Sequence, residues 1–153
     1  MDAAGPASLT GAAVGPRDAV ARLRGAGVRV TKQRVAVFDQ LERLGGHRSV
    51  EEISADLVDV GAALPLTTIY NVVDDLSRAG ILMAADAGPG RALYEVADGW
   101  HHHFVCRSCG QVSDIACTVG VKPCIDASVP GAEVDEASII FRGRCRSCVS
   151  DDS

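Results

Sequence analysis

A chain of 153 residues, 47% of them hydrophobic, is long enough to bury a core as one domain or as two small ones. No stretch approaches the roughly 20 consecutive apolar residues of a membrane helix, and the Ala- and Gly-rich start lacks a basic segment followed by an apolar one, so the sequence reads as cytoplasmic. The formal charge of −5 argues against a generally basic nucleic-acid binder, but between Arg17 and Arg48 eight basic residues stand against three acidic ones, a local balance of +5 that could face phosphates.

Residues 1–15 are small and almost uncharged, and read as a flexible tail. A helical pattern starts at Pro16, carries Ala19, Val20 and Leu23, and ends at the Gly25 to Gly27 break. Thr31 is placed to cap a second helix in which Val35, Phe38, Leu41 and Leu44 recur every three residues until Gly45 and Gly46 stop it. Ser49 with Glu52 three residues later forms a capping box, followed by Val50, Ile53, Leu57 and Val60 on one side of a third helix. After a turn from Gly61 to Pro65, Ile69, Val72, Val73 and Leu76 make the apolar stripe of a fourth helix closed by Gly80, with Thr68, Tyr70, Asn71, Asp75 and Arg78 on its other face. The segment ILMAADAGPGRALYEVA predicts two short strands around an Ala-Gly-Pro-Gly turn, with Arg91 just past the tip. Helices followed by a hairpin suggest a winged helix-turn-helix, whose second motif helix enters a DNA major groove while the wing touches backbone or minor groove. An ordinary helical domain with a hairpin is the alternative that pattern alone leaves open.

From Trp100 onward, HHHFV, QVSDIA and ASIIFRG read as short strands, with an irregular or helical segment between, in a small α/β unit. They carry two C-x-x-C hooks, Cys106 with Cys109 and Cys145 with Cys148, which supply four thiolates for one tetrahedral zinc. Six cysteines also suit a secreted disulfide framework, but without a signal segment this spacing favours metal in a reducing compartment. His101 and His103 alternate along a strand and share one face, while His102 points elsewhere and reads as structural or exposed. Histidines are borderline ligands, suited to iron, zinc, nickel or manganese in a separate, more open site.

The order and spacing of GVRVTKQR, LTTIYNVVDDLSRAGI, HHHFVCRSCG and the final CRSC, over about residues 16–148, resemble the ferric uptake regulator (Fur) superfamily of metal-dependent bacterial repressors. The resemblance implies an α+β fold, with an N-terminal winged helix-turn-helix domain over 16–97 and a C-terminal α/β dimerisation domain over 98–153. It implies a homodimer on a palindromic, A/T-rich operator. It maps a structural zinc onto Cys106, Cys109, Cys145 and Cys148, and a regulatory metal onto His47, Glu95, His101, His103 and Asp114, a mixed N/O set that suits Fe²⁺ or Mn²⁺ more than a thiophilic ion. In the DNA-binding half, Arg29, Arg34 and Arg91 are expected on backbone or minor groove, and Thr67, Thr68, Tyr70 and Asn71 at the start of the recognition helix.

Departures within the superfamily carry information. Ala137 stands where many members place a histidine of a further metal site, and Tyr94, Glu95 and Val96 occupy the hinge where zinc-uptake regulators tend to recruit a cysteine. Asp114 and Asn71 lean toward peroxide-sensing members. Cys117 and Cys124, possible redox thiols, match the actinobacterial branch associated with catalase-peroxidase genes. The implied function is a peroxide-responsive transcriptional repressor, with an iron-uptake or zinc-uptake regulator that senses metal alone as the alternative. A zinc-dependent hydrolase or redox enzyme is the rival from another class. H-x-x-E-H and H-E-x-x-H are absent and no activated nucleophile is evident, so the chain reads as no enzyme.

Overall fold

A computed structural model of the chain describes residues 18–88, 90–99, 101–116, 130–131 and 139–150. The expected tail, Arg17, the Cys117 and Cys124 pair and Ala137 lie outside the described residues.

Four helices come first. Helix α1 (Ala19–Gly25) is capped by the Asp18 carboxylate, which accepts from the Val20 N–H. Helix α2 (Lys32–Leu44) starts at Thr31, whose hydroxyl accepts from the Arg34 N–H at 3.3 Å. Its buried residues are Val37, Phe38, Gln40 and Leu41, while Val35 and Leu44 are only half-buried, which corrects the stripe expected from the sequence. Steps of three residues fall back about 60° on a helix of 3.6 residues per turn, so such a stripe drifts round the helix and its ends lie at the margin of the core, where Val35 still packs against it.

The capping box opens helix α3 (Val50–Asp59) as expected, with Glu52 N–H donating to Ser49 Oγ at 3.2 Å and Ser49 N–H to Glu52 Oε2 at 2.8 Å. The helix stops one residue short of Val60, which is 52% exposed rather than buried. Helix α4 (Leu66–Arg78) buries Ile69, Val72, Val73 and Leu76 against Leu23, Phe38, Leu41, Ile53 and Leu57. Truncating Phe38 in that core would cost about 3–5 kcal/mol.

The hairpin pairs β1 (Leu82–Asp86) antiparallel with β2 (Ala92–Val96), Leu82 facing Val96 and Asp86 facing Ala92. Its buried Leu82 joins the helical core, and Tyr94 and Val96 pack against it. Arg22 of α1 donates to the Ala97 carbonyl at 2.9 Å, fixing the segment that leaves β2.

A second sheet has the order β4-β3-β5. Strand β3 (His101–Cys106) is central, antiparallel to β4 (Val112–Ala116) and parallel to β5 (Ile140–Gly143). A short helix α5 (Arg146–Ser150), which the sequence reading left out, follows β5 and holds Cys148. Among the described residues no helix is long and apolar enough to cross a membrane.

Candidate functional site

The helical core and the second sheet meet at a cluster of His47, Glu95, His101, His103 and Asp114, whose ligand atoms all lie within 4.8 Å of one another. Local structure explains each placement. Gly45 and Gly46 take φ of 62° and 61°, left-handed values that glycine adopts without steric cost, and turn the chain sharply out of α2. The Arg48 guanidinium then satisfies the end of that helix, donating to the Leu44 and Gly45 carbonyls, each at 3.2 Å. The Arg48 and Tyr94 backbones exchange two hydrogen bonds of 2.8 and 2.7 Å, so their neighbours His47 and Glu95 are brought side by side. In the sheet, His103 stands opposite Asp114, and His101 lies two residues along on the same face.

Three imidazoles converge on one oxygen. Glu95 Oε1 lies 2.7 Å from His101 Nε2, 2.8 Å from His103 Nε2 and 3.4 Å from His47 Nε2. Asp114 Oδ1 closes the ring at 3.1 Å from His47 Nε2 and 3.5 Å from His101 Nε2. His47 Nε2 is fully buried between the Glu95 and Asp114 oxygens. A neutral imidazole that turns its lone pair inward meets other lone pairs here, and one oxygen has few acceptor positions for three N–H donors. A divalent cation resolves both conflicts at once, and the N/O donor set fits one of the iron or manganese type.

The electrostatics agree. Burial alone would raise the Glu95 carboxyl, but hydrogen bonds from His103 and His47 and the nearby charge of His47 and His101 hold it far below the usual carboxylate range. The hydrogen bond to Glu95 raises His47 above its ordinary value against the opposing effect of burial, helped by the charges of Glu95 and Asp114. Asp114 is the outward member of the cluster, its side chain 54% exposed. His102, on the other face of β3, is buried with its ring centroid 6.2 Å from that of Phe141.

The second cluster joins Cys106, Cys109, Cys145 and Cys148, again within 4.8 Å. The Cys109 and Cys145 sulfurs are 3.7 Å apart, against about 3.8 Å for the edge of a tetrahedron of thiolates about 2.3 Å from a zinc. Cys106 ends β3 and pairs with Gly143, two residues before Cys145, so sheet pairing itself brings the hooks together. Backbone N–H groups at Cys109 and Cys145, the latter 3.3 Å from Cys106 Sγ, lower the Cys106 thiol to about 6. Hydrogen bonding to Ser147 and the backbone of Cys148 lowers Cys145, while the neighbouring Cys145 and Cys109 sulfurs push Cys148 up to about 12. Such a graded set carries thiolate charge that a bound cation would complete.

The residues expected at DNA are less uniform. Thr67, Tyr70 and Asn71 are exposed on α4 and Thr68 is half-buried. Arg29 is exposed, but the Arg34 guanidinium is held by Asp75 Oδ2 at 2.6 Å and by the Arg29 carbonyl at 2.8 Å. Its place is thus between α2 and α4, which revises the phosphate contact expected of it. Arg91 leaves the hairpin tip with Nη1 3.2 Å from where a Cβ on Gly110 would lie, beside the cysteine knuckle.

Three further contacts escaped the sequence. Asp75 was only a polar-face residue there; Glu51, which accepts the Tyr70 hydroxyl at 2.9 Å, and the Asp86–Arg142 pair at 2.9 Å were not singled out. The partners stand 41, 19 and 56 residues apart, and no local pattern signals such pairing.

Comparison with known proteins points one way. The model of the ferric uptake regulator family matches residues 25–121. The transcriptional regulator FurA of Mycobacterium tuberculosis is 37% identical over 140 residues, 89% of this chain and 94% of the relative. The ferric uptake regulator of Pseudomonas aeruginosa, solved with manganese, superposes with a TM-score of 0.64 at 27% identity, over 84% of this chain and 98% of that one. That of Vibrio cholerae, described for a rearrangement of its DNA-binding domains, gives 0.59 at 26% identity over 80% and 96%.

Proposed function

The chain belongs to the ferric uptake regulator family, and on that premise we propose that it is a metal-dependent, DNA-binding transcriptional repressor that responds to peroxide and controls oxidative-stress genes of the catalase-peroxidase kind. One observation carries the reading: five donors from the α2–α3 loop, the hairpin and the sheet converge within 4.8 Å, so occupancy fixes how the helical unit sits on the sheet. A ligand shifts such an equilibrium only through its differential affinity, and a site whose ligands come from both parts has that property. We assign residues 16–97 to DNA binding and 98–153 to dimerisation, with zinc on the four cysteines and Fe²⁺ or Mn²⁺ on the five mixed ligands.

The regulator acts in the cytoplasm as a homodimer on a palindromic, A/T-rich operator. Strand β5, outermost in the sheet among the described residues and with Phe141 46% exposed, supports a partner on the sheet side. On DNA, Arg29 and Arg91 hold backbone or minor groove. Arg34 fixes α4 through Asp75, and Thr67, Thr68, Tyr70 and Asn71 read the major groove. Arg91 must leave the knuckle to do so.

Ferrous iron, when bound, would lend the electron that splits peroxide at the ligand shell and regain it from the oxidised ring. His47 and His101 hold imidazole carbons next to that point; net, one peroxide oxygen ends on the ring and the other leaves as water. An oxidised ring is a poorer ligand, so the centre loses its hold and DNA is released. Peptide mass spectrometry of anaerobically Fe²⁺-loaded, zinc-replete protein before and after a brief stoichiometric peroxide pulse tests this, with Mn²⁺-loaded protein as the control. One added oxygen confined to the His47 or His101 peptide of the iron sample is expected. Unmodified histidines with DNA release would overturn histidine oxidation and leave metal-only sensing, or thiol sensing if Cys117 and Cys124 had become linked.

A further inference from the structure

Tyr70 stands on the outer face of α4, 48% exposed, between Thr67 and Asn71. An exposed tyrosine on a helix samples several rotamers, and docking it into a groove costs that freedom. Here the freedom is already restricted, because the hydroxyl donates to Glu51 Oε1 at 2.9 Å. Glu51 lies in the first turn of α3, where backbone N–H groups favour its carboxylate. Its acid is lowered by its own backbone N–H and then by the Tyr70 hydroxyl, and the tyrosine is raised by that same bond, so at neutral pH the acceptor is a carboxylate and the donor a phenol, the forms this geometry requires.

The carboxylate is otherwise out of place. A negative charge beside a reading helix repels phosphate whatever the sequence, so it lowers affinity for all DNA alike. A fixed reading group does the opposite for one sequence: it meets a matching groove without rearrangement and clashes with a mismatched one.

We propose that Glu51 is a positioning residue for sequence discrimination, orienting the Tyr70 ring for base reading through its hydrogen bond while weakening binding to every sequence equally. This rests on the proposed placement of α4 in the major groove. The bland alternative is that Glu51 only stabilises the start of α3 and that the tyrosine contact is incidental.

The test uses full-length, zinc-replete, Mn²⁺-loaded protein. Dissociation constants are measured at fixed salt for a duplex selected by the wild-type protein from random DNA and for a scrambled duplex of equal length. Glu51→Ala should cut the selected-to-scrambled ratio about tenfold while tightening the scrambled complex. Tyr70→Phe, which keeps the ring, should lose a similar factor, and the double variant should lose no more than either alone. Glu51→Gln, whose amide oxygen still accepts the hydroxyl, should keep the ratio while tightening both complexes. If Glu51→Gln loses the ratio as Glu51→Ala does, the charge at the start of α3 is what matters and the proposal fails. It fails too if Tyr70→Ala relaxes discrimination while Tyr70→Phe and Glu51→Ala keep it, leaving the major-groove placement intact. Undiminished discrimination in Tyr70→Ala would overturn that placement and the proposal together.

Discussion

The thiolate cluster and the histidine–carboxylate cluster are equally tight, yet their donors reach each other by different means. The cysteine hooks flank two strands, β3 and β5, that are hydrogen-bonded neighbours, so the same pairing that forms the sheet sets them side by side. The other five donors come from a loop, a hairpin strand and two strands of a separate sheet, and the helical core includes none of that sheet's described residues. Metal in the first cluster therefore stabilises one folded piece. Metal in the second acts on the relative placement of two pieces, which is the property a switch needs.

The largest effect should come from breaking the first cluster. Cys145→Ser removes one of the four sulfurs that converge on the site, and leaves the backbone N–H that donates to Cys106 Sγ in place. Structural zinc contributes about 10–16 kcal/mol in small domains, comparable to the whole stability of a typical domain at about 5–15 kcal/mol. The variant should lose stoichiometric zinc and the cooperative melt of the sheet, and bind no operator at any Mn²⁺ concentration. Zinc content read beside a circular-dichroism melt checks this; a zinc-free variant that melted like the parent would show the sheet to be self-sufficient.

His47→Ala should separate the two clusters. It should keep its zinc and its melt, while Mn²⁺ binds at least about a hundredfold more weakly, since losing even a group that only orients a metal ligand costs about 10–100-fold. Acidity sharpens the contrast. His47 is raised above its ordinary 6.5, so without metal it contributes stability present below its unfolded value and lost as pH rises through the raised one. Glu95 is depressed, so its contribution is present above 4.5 and lost as pH falls toward its folded value. Metal must displace the His47 proton, so the wild-type affinity for Mn²⁺ should fall with acidification from above pH 6.5 downward. In His47→Ala that part of the slope should vanish. Calorimetric titrations across this range decide it, and an unchanged slope would move the titrating group elsewhere.

How legible each region was from sequence follows the same division. Caps, hooks and strand alternation are local, and Thr31, the Ser49–Glu52 box, the pairs of cysteines and the shared face of His101 and His103 all emerged where local spacing put them. The regulatory cluster was legible only through family resemblance. Spacing alone says nothing of His47 beside Glu95, because that contact depends on the Arg48–Tyr94 bridge, two chain segments meeting across the core. The three-residue stripe of α2 misled for a geometric reason, and Val60 because a helix end cannot be located to one residue from pattern. Arg34 looked like a phosphate ligand because its charge was visible and its partner Asp75 was far away in the chain.

The smallest predicted effect concerns the hairpin, which the sheet holds twice. At its base, β2 supplies Glu95 to the metal ligands; near its tip, Asp86 accepts from Arg142 Nη2 through Oδ2 at 2.9 Å and through its carbonyl at 3.2 Å. Arg142 lies on β5, beside the strand that carries His101 and His103. The ion pair is closed in the same arrangement that brings the five donors together, so by linkage it favours metal-ready placement and metal favours the pair. Its side chains are 31% and 64% exposed, and exposed pairs contribute about 0.2–1 kcal/mol, less as salt rises. Arg142→Ala should therefore weaken Mn²⁺ binding by at most about fivefold at low salt, with little change at high salt. Exchanging the charges, Asp86→Arg with Arg142→Asp, should recover most of the loss. Unchanged affinity at low salt would mean that the ligands alone set the hairpin's placement, and tighter binding would mean that the pair holds it in a competing one.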